Sequence, residues 1–293
     1  MNNIGLIGYT GLVGSNILAS FHNNEINKLY NSKNISEIHN EKFNVLIIAG
    51  VSANKQFANM SPEEDLLKIK DLYKDLQTVK AKQVVLISTI DIYNDDAYGK
   101  NRKIFEDLIW NHEGFEDVKI LRLPGLFGPG LKKNVIYDLK NLIPSFIKKD
   151  KFEELAEKDQ AIRKWYKFNS DKNIYEVVEK SKEVEKHFID LGFTSLSFSN
   201  LESDFYWFNL KYISDEIGRL LVDKQHRYYK VIVTNDKAIS NKEIIENKYQ
   251  ELFKSDSVVK YSQLKFDHYD ALSVYNRNHT IEEIKDFIND TSC

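Results

Sequence analysis

The feature that most constrains the fold of this chain is a glycine-rich turn close to its start. An apolar run at 4–7 stops at Gly8, glycines recur at Gly11 and Gly14, and an apolar helical pattern follows. Strand, turn and helix in this order are the context in which such a glycine pattern binds a dinucleotide. A tight strand–helix turn without a ligand is the alternative. The residues predicted to meet the cofactor here are Gly8, Tyr9, Thr10, Gly11, Leu12, Val13 and Gly14.

Each glycine of the turn has a separate physical role in this interpretation. Gly8 permits the tight turn, Gly11 lets the backbone approach a pyrophosphate, and Gly14 lets the helix pack closely on the strand. The N-terminus of the helix then offers unpaired N–H groups and a partial positive charge to the phosphates.

Strands and helices alternate through the first half of the chain. Ten of the twelve glycines and all four prolines precede residue 151, which is typical of short strand–helix units. Apolar runs predict strands at about 3–7, 26–30, 44–49, 83–88 and 118–123. Helical spacing predicts helices from about Leu12 to His22, from Pro62 onward within a Ser61–Glu64 capping box, and from Tyr98 to Trp110. This alternation predicts an α/β fold with a Rossmann-like, doubly wound parallel sheet.

The second half predicts a smaller, mostly helical part that binds substrate. Helices are expected over 151–165, 172–190 and 214–221, and strands over 205–213 and 229–233. Two further capping boxes, Ser240 with Glu243 and Thr280 with Glu283, predict a helix to about Phe253 and the last helix. We therefore assign 1–147 to a cofactor-binding domain to which 205–235 returns, and 148–204 with 236–293 to a substrate-binding cap.

Composition excludes several classes of function. A net charge of −3 gives no electrostatic basis for binding nucleic acid or an anionic membrane. No apolar run approaches the ~18 residues of a membrane span. The only cysteine is Cys293, and the seven histidines have no metal-binding spacing. We expect no disulfide and no metal site, and a cytoplasmic location fits.

The end of the second predicted strand bears on cofactor choice. An Asp or Glu there would bind the ribose hydroxyls of NAD. This chain has Asn31, Ser32 and Lys33 instead. Ser32 and Lys33 could meet a 2′-phosphate, so NADP is favoured over NAD, although a lysine in a turn is often only solvated. Lys55 could face the cofactor or the substrate, or be exposed.

Three further motifs resemble the extended short-chain dehydrogenase/reductase family, which includes nucleotide-sugar epimerases, dehydratases and reductases. They are the Ser88-Thr89 end of the fourth strand, the Tyr98-Gly-Lys-Asn-Arg102 helix start and the Arg-Leu-Pro-Gly-Leu-Phe-Gly-Pro-Gly loop at 122–130. Together with the glycine turn, the resemblance covers about residues 1–145. It implies an NAD(P)-dependent oxidoreductase that acts on a nucleotide-linked sugar, as a reductase or an epimerase, and leaves a homodimer open.

The same resemblance implies further site residues. Cofactor contacts are expected at the ends of the third, fourth and fifth strands, namely at Ala49, Gly50, Val51, Ser88, Pro124 and Gly125. Lys132, Lys133 and Asn134 lie where the family begins its substrate-facing region and could take a diphosphate, although a solvated lysine pair is the alternative.

Tyr98 is the candidate general acid/base. A tyrosine can take a hydroxyl proton only if a nearby positive charge lowers its pKa from about 10. The residue four positions later on a helix lies on the same face, and that residue is Arg102. The family has lysine here; either cation would stabilise a tyrosinate, but arginine does so with a planar fork.

Thr89 is the candidate that orients the substrate oxygen, with Ser88 as the fallback. The segment between Thr89 and Tyr98 is shorter than the family usually shows. Ile90 precedes Asp91 where family dehydratases carry two carboxylates, which argues against a 4,6-dehydratase. A strand end at Thr89 and a packing role for Tyr98 are the alternative, as is a cofactor-binding sensor or scaffold protein without turnover.

Overall fold

The computed structural model describes residues 3–21, 25–267 and 270–290. The described residues form two compact units. The first is built from Met1–Leu131, Tyr206–Ala238 and Ser262–Thr280, and the second from Lys132–Phe205, Ile239–Tyr261 and Ile281–Cys293. Within the described part, no helix is both long enough and apolar enough to cross a membrane.

The described residues of the two units contain fourteen strands and ten α-helices. The strands are β1 (Ile4–Ile7), β2 (Lys28–Tyr30), β3 (Lys42–Ile48), β4 (Lys80–Thr89), β5 (Phe115–Leu123), β6 (Gly125–Phe127), β7 (Phe146–Lys148), β8 (Tyr166–Asn169), β9 (Ile174–Val177), β10 (Asp204–Phe205), β11 (Trp207–Asn209), β12 (Tyr228–Thr234), β13 (Ile239–Ser240) and β14 (Ala271–Tyr275). The helices are α1 (Leu12–Ser20), α2 (Lys55–Met60), α3 (Pro62–Leu76), α4 (Ala97–Trp110), α5 (Val135–Lys140), α6 (Lys149–Lys158), α7 (Lys182–Asp190), α8 (Ile213–Val222), α9 (Asn241–Ile244) and α10 (Arg277–Asn289).

The first unit is organised around a seven-stranded sheet in the order β14-β12-β5-β4-β3-β1-β2. Every pairing in this sheet is parallel. The predicted Rossmann-like, doubly wound sheet is therefore confirmed. The central strands β3 and β4 each contain a continuous apolar run because helices cover both faces of the sheet, and Leu46 and Val84 in these runs are fully buried.

Helices cover the two faces of this sheet. On one face, α1 and α8 pack through residues such as Ile17 and Ile217. On the other face, α3 and α4 pack through residues such as Ile69 and Phe105. The chain passes from β1 to β2 on one side and then to β3 on the other side of β1. The carboxyl ends of strands at such a switch point form the crevice in which ligands of open α/β sheets bind.

Several predicted helix boundaries require correction. Helix α3 begins at Pro62 as predicted, but the Ser61 side chain makes no capping hydrogen bond. The Ser240–Glu243 capping box is formed, yet α9 ends at Ile244. Thr280 lies inside α10, where its hydroxyl donates to the Asn276 carbonyl, so it does not open the helix. Helix α1 ends at Ser20, and His22 and Cys293 lie outside the described residues.

The second unit contains more strand than the sequence predicts. β7, β9 and β8 form a small antiparallel sheet, so the predicted helix over 172–190 is wrong before α7. Asn173 adopts a φ of 53° between β8 and β9, a left-handed conformation that asparagine tolerates in turns. The predicted 151–165 helix is also interrupted, after Lys158.

The large sheet contains one strand that the sequence places elsewhere. β14 pairs with β12 in the first unit, whereas the sequence assigns 236–293 to the cap. Leu272 and Val274 are more than half exposed at this sheet edge. Ser273 interrupts the apolar run of this strand, which therefore lacks the continuous apolar pattern of β3 and β4.

Candidate active site

The glycine turn between β1 and α1 has the geometry that the sequence predicts. Gly8 has a φ of +84°, and a methyl group there would lie 2.3 Å from the Ala49 carbonyl oxygen. A methyl group on Gly14 would lie 2.1 Å from the Gly8 carbonyl oxygen. Both positions therefore require glycine, because the backbone of the turn packs on itself and on the end of β3.

Gly11 differs from its two neighbours because the space beside it is open. It is the N-cap of α1, and an added methyl group would meet only the Gly8 carbonyl oxygen, at 3.4 Å. Thr10 and Gly11 are exposed, whereas Leu12 and Val13 pack against the core beneath them. An exposed backbone with open space at the N-terminus of a helix fits the phosphates of a dinucleotide.

A second loop borders the glycine turn. The Asn16 side chain of α1 donates to the Pro129 carbonyl at 2.9 Å. Earlier in this loop, Pro124 precedes β6, and a methyl group on Gly125 would lie 2.7 Å from the Trp207 ring. Gly125 is thus explained by packing against β11, and the loop after β5 lies beside α1.

The end of β2 forms a polar turn. The Asn31 amide donates to the Tyr9 hydroxyl at 3.0 Å and its oxygen accepts from the Lys33 N–H at 2.8 Å. Ser32 and Lys33 are both exposed. Asn31 therefore ties this turn to the glycine segment and leaves Ser32 and Lys33 open to solvent.

Three residues follow β3 at the same edge of the sheet. The Ala49 N–H donates to the Ile7 carbonyl at 2.9 Å, which continues the pairing with β1. A methyl group on Gly50 would lie 2.7 Å from the Ile7 side chain. Val51 packs at the margin of the core. These residues bring the chain from β3 to the segment that precedes α2.

Thr89 belongs to a polar cluster at the end of β4. Its hydroxyl donates to Asp91 Oδ2 at 3.0 Å and accepts from the Asp91 N–H at 3.1 Å. Lys55 donates from Nζ to Asp91 Oδ1 at 2.5 Å and lies 3.0 Å from Asp96 Oδ2. Asp96 in turn caps α4 by accepting from the Gly99 N–H at 2.8 Å. The cluster thus links Thr89 to the first turn of the helix that carries Tyr98.

Tyr98 is buried in the first turn of α4, and Arg102 lies against it. The Arg102 Cζ atom is 4.5 Å from the centroid of the Tyr98 ring. Arg102 also donates to both carboxylate oxygens of Asp65, at 2.9 and 3.1 Å, and to the Ser52 carbonyl at 2.6 Å. Tyr98 and Arg102 thus lie together on one face of α4 as predicted, and Asp65 of α3 holds the Arg102 guanidinium group in place.

The electrostatic balance at Tyr98 is dominated by desolvation. Burial raises the pKa of Tyr98 above its ordinary value, and the Arg102 charge opposes this rise without cancelling it. Asp91 raises the pKa further, and Lys55 lowers it. Burial disfavours the charged form of Lys55, but Asp91 and Asp96 outweigh it and raise the Lys55 pKa. The protein alone therefore keeps Tyr98 protonated at neutral pH.

Ser88 faces a different network, in which the Glu106 and Arg122 side chains are buried. Its hydroxyl donates to Glu106 Oε1 at 2.6 Å, and Glu106 accepts two hydrogen bonds from Arg122 at 2.7 and 3.0 Å. Arg122 also donates to Asp270 at 2.9 Å and to the Tyr93 hydroxyl at 2.6 Å. Ser88 thus anchors β4 to α4 and β5, and Thr89 is the hydroxyl at the strand end.

The predicted diphosphate residues belong to the second unit. Lys132 and Lys133 are exposed, and partial burial lowers the pKa of Lys133. The Asn134 side chain accepts from the N–H groups of Ile136 and Tyr137 and so caps α5. Helix capping accounts for Asn134 without a ligand.

Sequence reasoning missed the carboxylates that organise this site. Asp65 lies on the stripe of α3 that continues through Ile69 to Leu76, and it is 2% exposed. A carboxylate in line with an apolar stripe is the signal that could have identified it. Asp96 could have been identified as the N-cap of α4, directly before Ala97. Among the described residues, no group of His, Cys, Asp or Glu side chains is arranged to hold a metal ion.

Solved structures share the fold of this chain. UDP-glucose 4-epimerase from Thermotoga maritima, with UDP-glucose, is 12% identical over 98% of this chain and 97% of that one, with a TM-score of 0.56. RMD from Pseudomonas aeruginosa, complexed with NADPH, is 12% identical over 98% and 93%, with a TM-score of 0.56. MoeE5, in complex with UDP-glucuronic acid and NAD, is 13% identical over 98% and 93%, with a TM-score of 0.55.

These likenesses confirm the fold implied by the resemblance to extended short-chain dehydrogenases. At such low identity they establish the fold alone. No protein-family model and no curated protein sequence matches this chain.

Proposed function

We propose that this chain is a nicotinamide-dependent oxidoreductase that acts on a nucleotide-linked sugar, as a reductase or an epimerase. The observation that carries the proposal is the position of the glycine turn, Thr89 and Tyr98 within the first unit. A glycine turn with open space at Gly11 follows β1, and Thr89 ends β4 in the same parallel sheet. Tyr98 lies in the first turn of the next helix, α4. Carboxyl ends of parallel strands meet at one edge, which is where such sheets bind cofactors.

The cofactor would be held by the first unit. Gly8, Gly11 and the N-terminus of α1 would receive its phosphates, and Ser32 and Lys33 after β2 would meet a 2′-phosphate. Two of the similar structures carry NAD and NADPH respectively. We propose NADP as the preferred form on the basis of the exposed Lys33, with NAD as the alternative.

In this proposal Tyr98 exchanges a proton with the hydroxyl group of the substrate. When bound, a nicotinamide cofactor supplies a hydride acceptor or donor for the carbon that carries that hydroxyl. The Tyr98 oxygen takes the hydroxyl proton on oxidation and returns it on reduction, while Thr89 orients the substrate oxygen by a hydrogen bond. Arg102 stabilises the tyrosinate form, since its charge lies against the ring.

The nucleotide-linked sugar is proposed from the similar structures and from the sequence resemblance. The Thermotoga maritima structure contains UDP-glucose, and MoeE5 contains UDP-glucuronic acid. The combination Ile90-Asp91 lacks the first carboxylate of the family's 4,6-dehydratases, which favours a reductase or an epimerase. A homodimer and a cytoplasmic location stay predictions from the sequence.

Binding and turnover should be measured separately. Calorimetric titration with NADPH, NADP, NADH and NAD tests the cofactor, with a Gly11→Val variant as the control. Consumption of reduced cofactor, or formation of an epimer, on a panel of UDP-linked sugars tests the reaction. Absence of binding to all four cofactors would overturn the proposal as a whole.

A cofactor-binding protein without turnover is the second candidate. It is favoured by one observation: the Thr89 hydroxyl is engaged with Asp91 while burial raises the pKa of Tyr98. Tight cofactor binding with no turnover on any sugar tried would support this candidate over the enzyme.

A further inference from the structure

Asp65 accepts several hydrogen bonds beside Tyr98, although it belongs to none of the motifs found in the sequence. Its carboxylate is 2% exposed and accepts from Arg102 at 2.9 and 3.1 Å and from the Asn101 amide at 2.9 Å. All three donors come from α4, whereas Asp65 belongs to α3. A buried carboxylate with this set of donors fixes the first two turns of α4 against α3.

The planar guanidinium group of Arg102 makes contacts with three different groups. Both terminal nitrogens, Nη1 and Nη2, donate to the Asp65 carboxylate, and Nη2 also donates to the Ser52 carbonyl at 2.6 Å. The guanidinium carbon Cζ lies 4.5 Å from the centroid of the Tyr98 ring. A lysine presents a single point charge on a flexible stem. It cannot pair with both carboxylate oxygens and cover the ring at the same time.

We propose that Asp65 is a positioning residue for the acid–base step, which holds the Arg102 guanidinium on Tyr98 and partly neutralises its charge there. This inference rests on the proposed function for its catalytic meaning. It also explains why this chain has arginine at a position where lysine would be the simpler cation: the arginine is one member of an Asp65–Arg102–Tyr98 assembly.

The charges around Tyr98 determine the direction in which its pKa should shift when Asp65 is replaced. Arg102 faces the tyrosine from α4, Asp91 from the segment after β4, Lys55 from α2, and Asp96 caps α4 and pairs with Lys55. Asp65 reaches Tyr98 through Arg102. In Asp65→Asn the amide oxygen can still accept from Arg102 and the Ser52 carbonyl still holds it, but the opposing negative charge is gone. The pKa of Tyr98 should therefore fall.

The experiment compares Asp65→Asn with wild type and with Glu64→Gln. Glu64 is exposed on the same helix and pairs with Lys68 across one turn, so it is a matched control for the loss of one carboxylate from α3. Tyrosinate absorbance is titrated in each protein and in its Tyr98→Phe counterpart, and the difference isolates Tyr98. We expect a downward shift of about one pH unit in Asp65→Asn and none in Glu64→Gln.

This readout does not depend on turnover. A downward shift without turnover in the wild type would uphold the assembly and refute the proposed function. Turnover in the wild type with an unshifted titration in folded Asp65→Asn would refute the positioning role and leave the function standing.

Arg102→Lys supplies a second, independent arm should Asp65→Asn fail to fold. This variant keeps the positive charge and loses the planar guanidinium group that pairs with both oxygens of Asp65. We expect kcat to fall at least tenfold with cofactor affinity unchanged. Wild-type kcat in Arg102→Lys would overturn the inference.

Discussion

The two ends of the candidate site are built in different ways. The glycine turn after β1 is a backbone structure, in which Gly8 and Gly14 allow carbonyl groups to lie where a side chain would stand. The acid–base end, at Thr89 and Tyr98, is built from charged side chains of α2, α3 and α4. The first end is specified by neighbouring residues in the chain. The second depends on segments that meet only in the folded sheet.

This difference predicts two kinds of response to substitution. A change in the glycine turn acts through sterics, because the nearest atoms are backbone carbonyls that cannot move away cheaply. A change at the acid–base end acts through electrostatics, because removal of one charge leaves its buried partner uncompensated. Stability and binding should therefore report on the turn, whereas turnover and pH dependence should report on the Tyr98 assembly.

The largest expected effect tests the acid–base end. Tyr98→Phe removes the proton-transfer group and keeps the ring that packs on Arg102, so turnover should fall by about 10²–10⁴ while cofactor affinity stays nearly constant. Steady-state kinetics and calorimetric titration measure the two quantities. Tyr73→Phe is the control, since Tyr73 packs edge-on against His112 elsewhere in the first unit. Wild-type turnover in Tyr98→Phe would exclude Tyr98 as the general acid/base.

The second prediction tests the backbone construction of the turn. Gly14→Ala places a methyl group 2.1 Å from the Gly8 carbonyl oxygen, so the free energy of unfolding should fall by about 1–3 kcal/mol. Gly218→Ala is the matched control, because Gly218 lies inside α8 with open space around it. That variant should be stabilised by roughly 0.5–1 kcal/mol through helix propensity. Equal melting temperatures for the two variants would contradict the proposed role of Gly14.

The contrast between the two ends also explains what could be predicted from sequence. The glycine turn was predictable because its strand, its glycines and its helix are contiguous. Tyr98 and Arg102 were predictable as a pair because helical spacing alone places them on one face. Their anchor, Asp65, is 37 positions from Arg102, and Lys55 is 36 positions from Asp91. No local pattern connects such partners, since their proximity follows from the order of strands in the sheet.

The predictions that the structure corrects have a similar origin. Ser61 has the residue type and spacing of a capping box, but its side chain makes no capping bond. Thr280 also has that spacing, yet α10 begins before it, so the hydroxyl bonds back to Asn276 within the helix. A capping box identifies a helix start only if the preceding residues leave the helical conformation, and that is decided by tertiary packing.

A third prediction concerns the open position in the turn. Gly11→Val inserts a branched side chain into the space beside the N-terminus of α1, where the phosphates are proposed to lie. Affinity for the preferred cofactor should fall more than tenfold, which corresponds to about 1.4 kcal/mol or more. The fold should be kept, because a Cβ atom at this position would lie 3.4 Å from the Gly8 carbonyl oxygen, which is an ordinary van der Waals contact. Unchanged affinity in a folded variant would remove the cofactor assignment.

The smallest expected effect concerns cofactor choice at the end of β2. Lys33 is exposed, so its contact with a 2′-phosphate would be screened by solvent and worth at most about 1 kcal/mol. Lys33→Ala should therefore weaken NADP binding about fivefold and leave NAD binding unchanged. Lys42→Ala is a suitable control, because Lys42 is an exposed lysine at the opposite end of the sheet, where β3 begins.

The loss of NADP affinity in Lys33→Ala should also become smaller as the salt concentration is raised, since the contact is between exposed charges. Equal losses for NADP and NAD would show that Lys33 does not recognise the 2′-phosphate, and a wild type that prefers NAD would contradict the proposed preference for NADP.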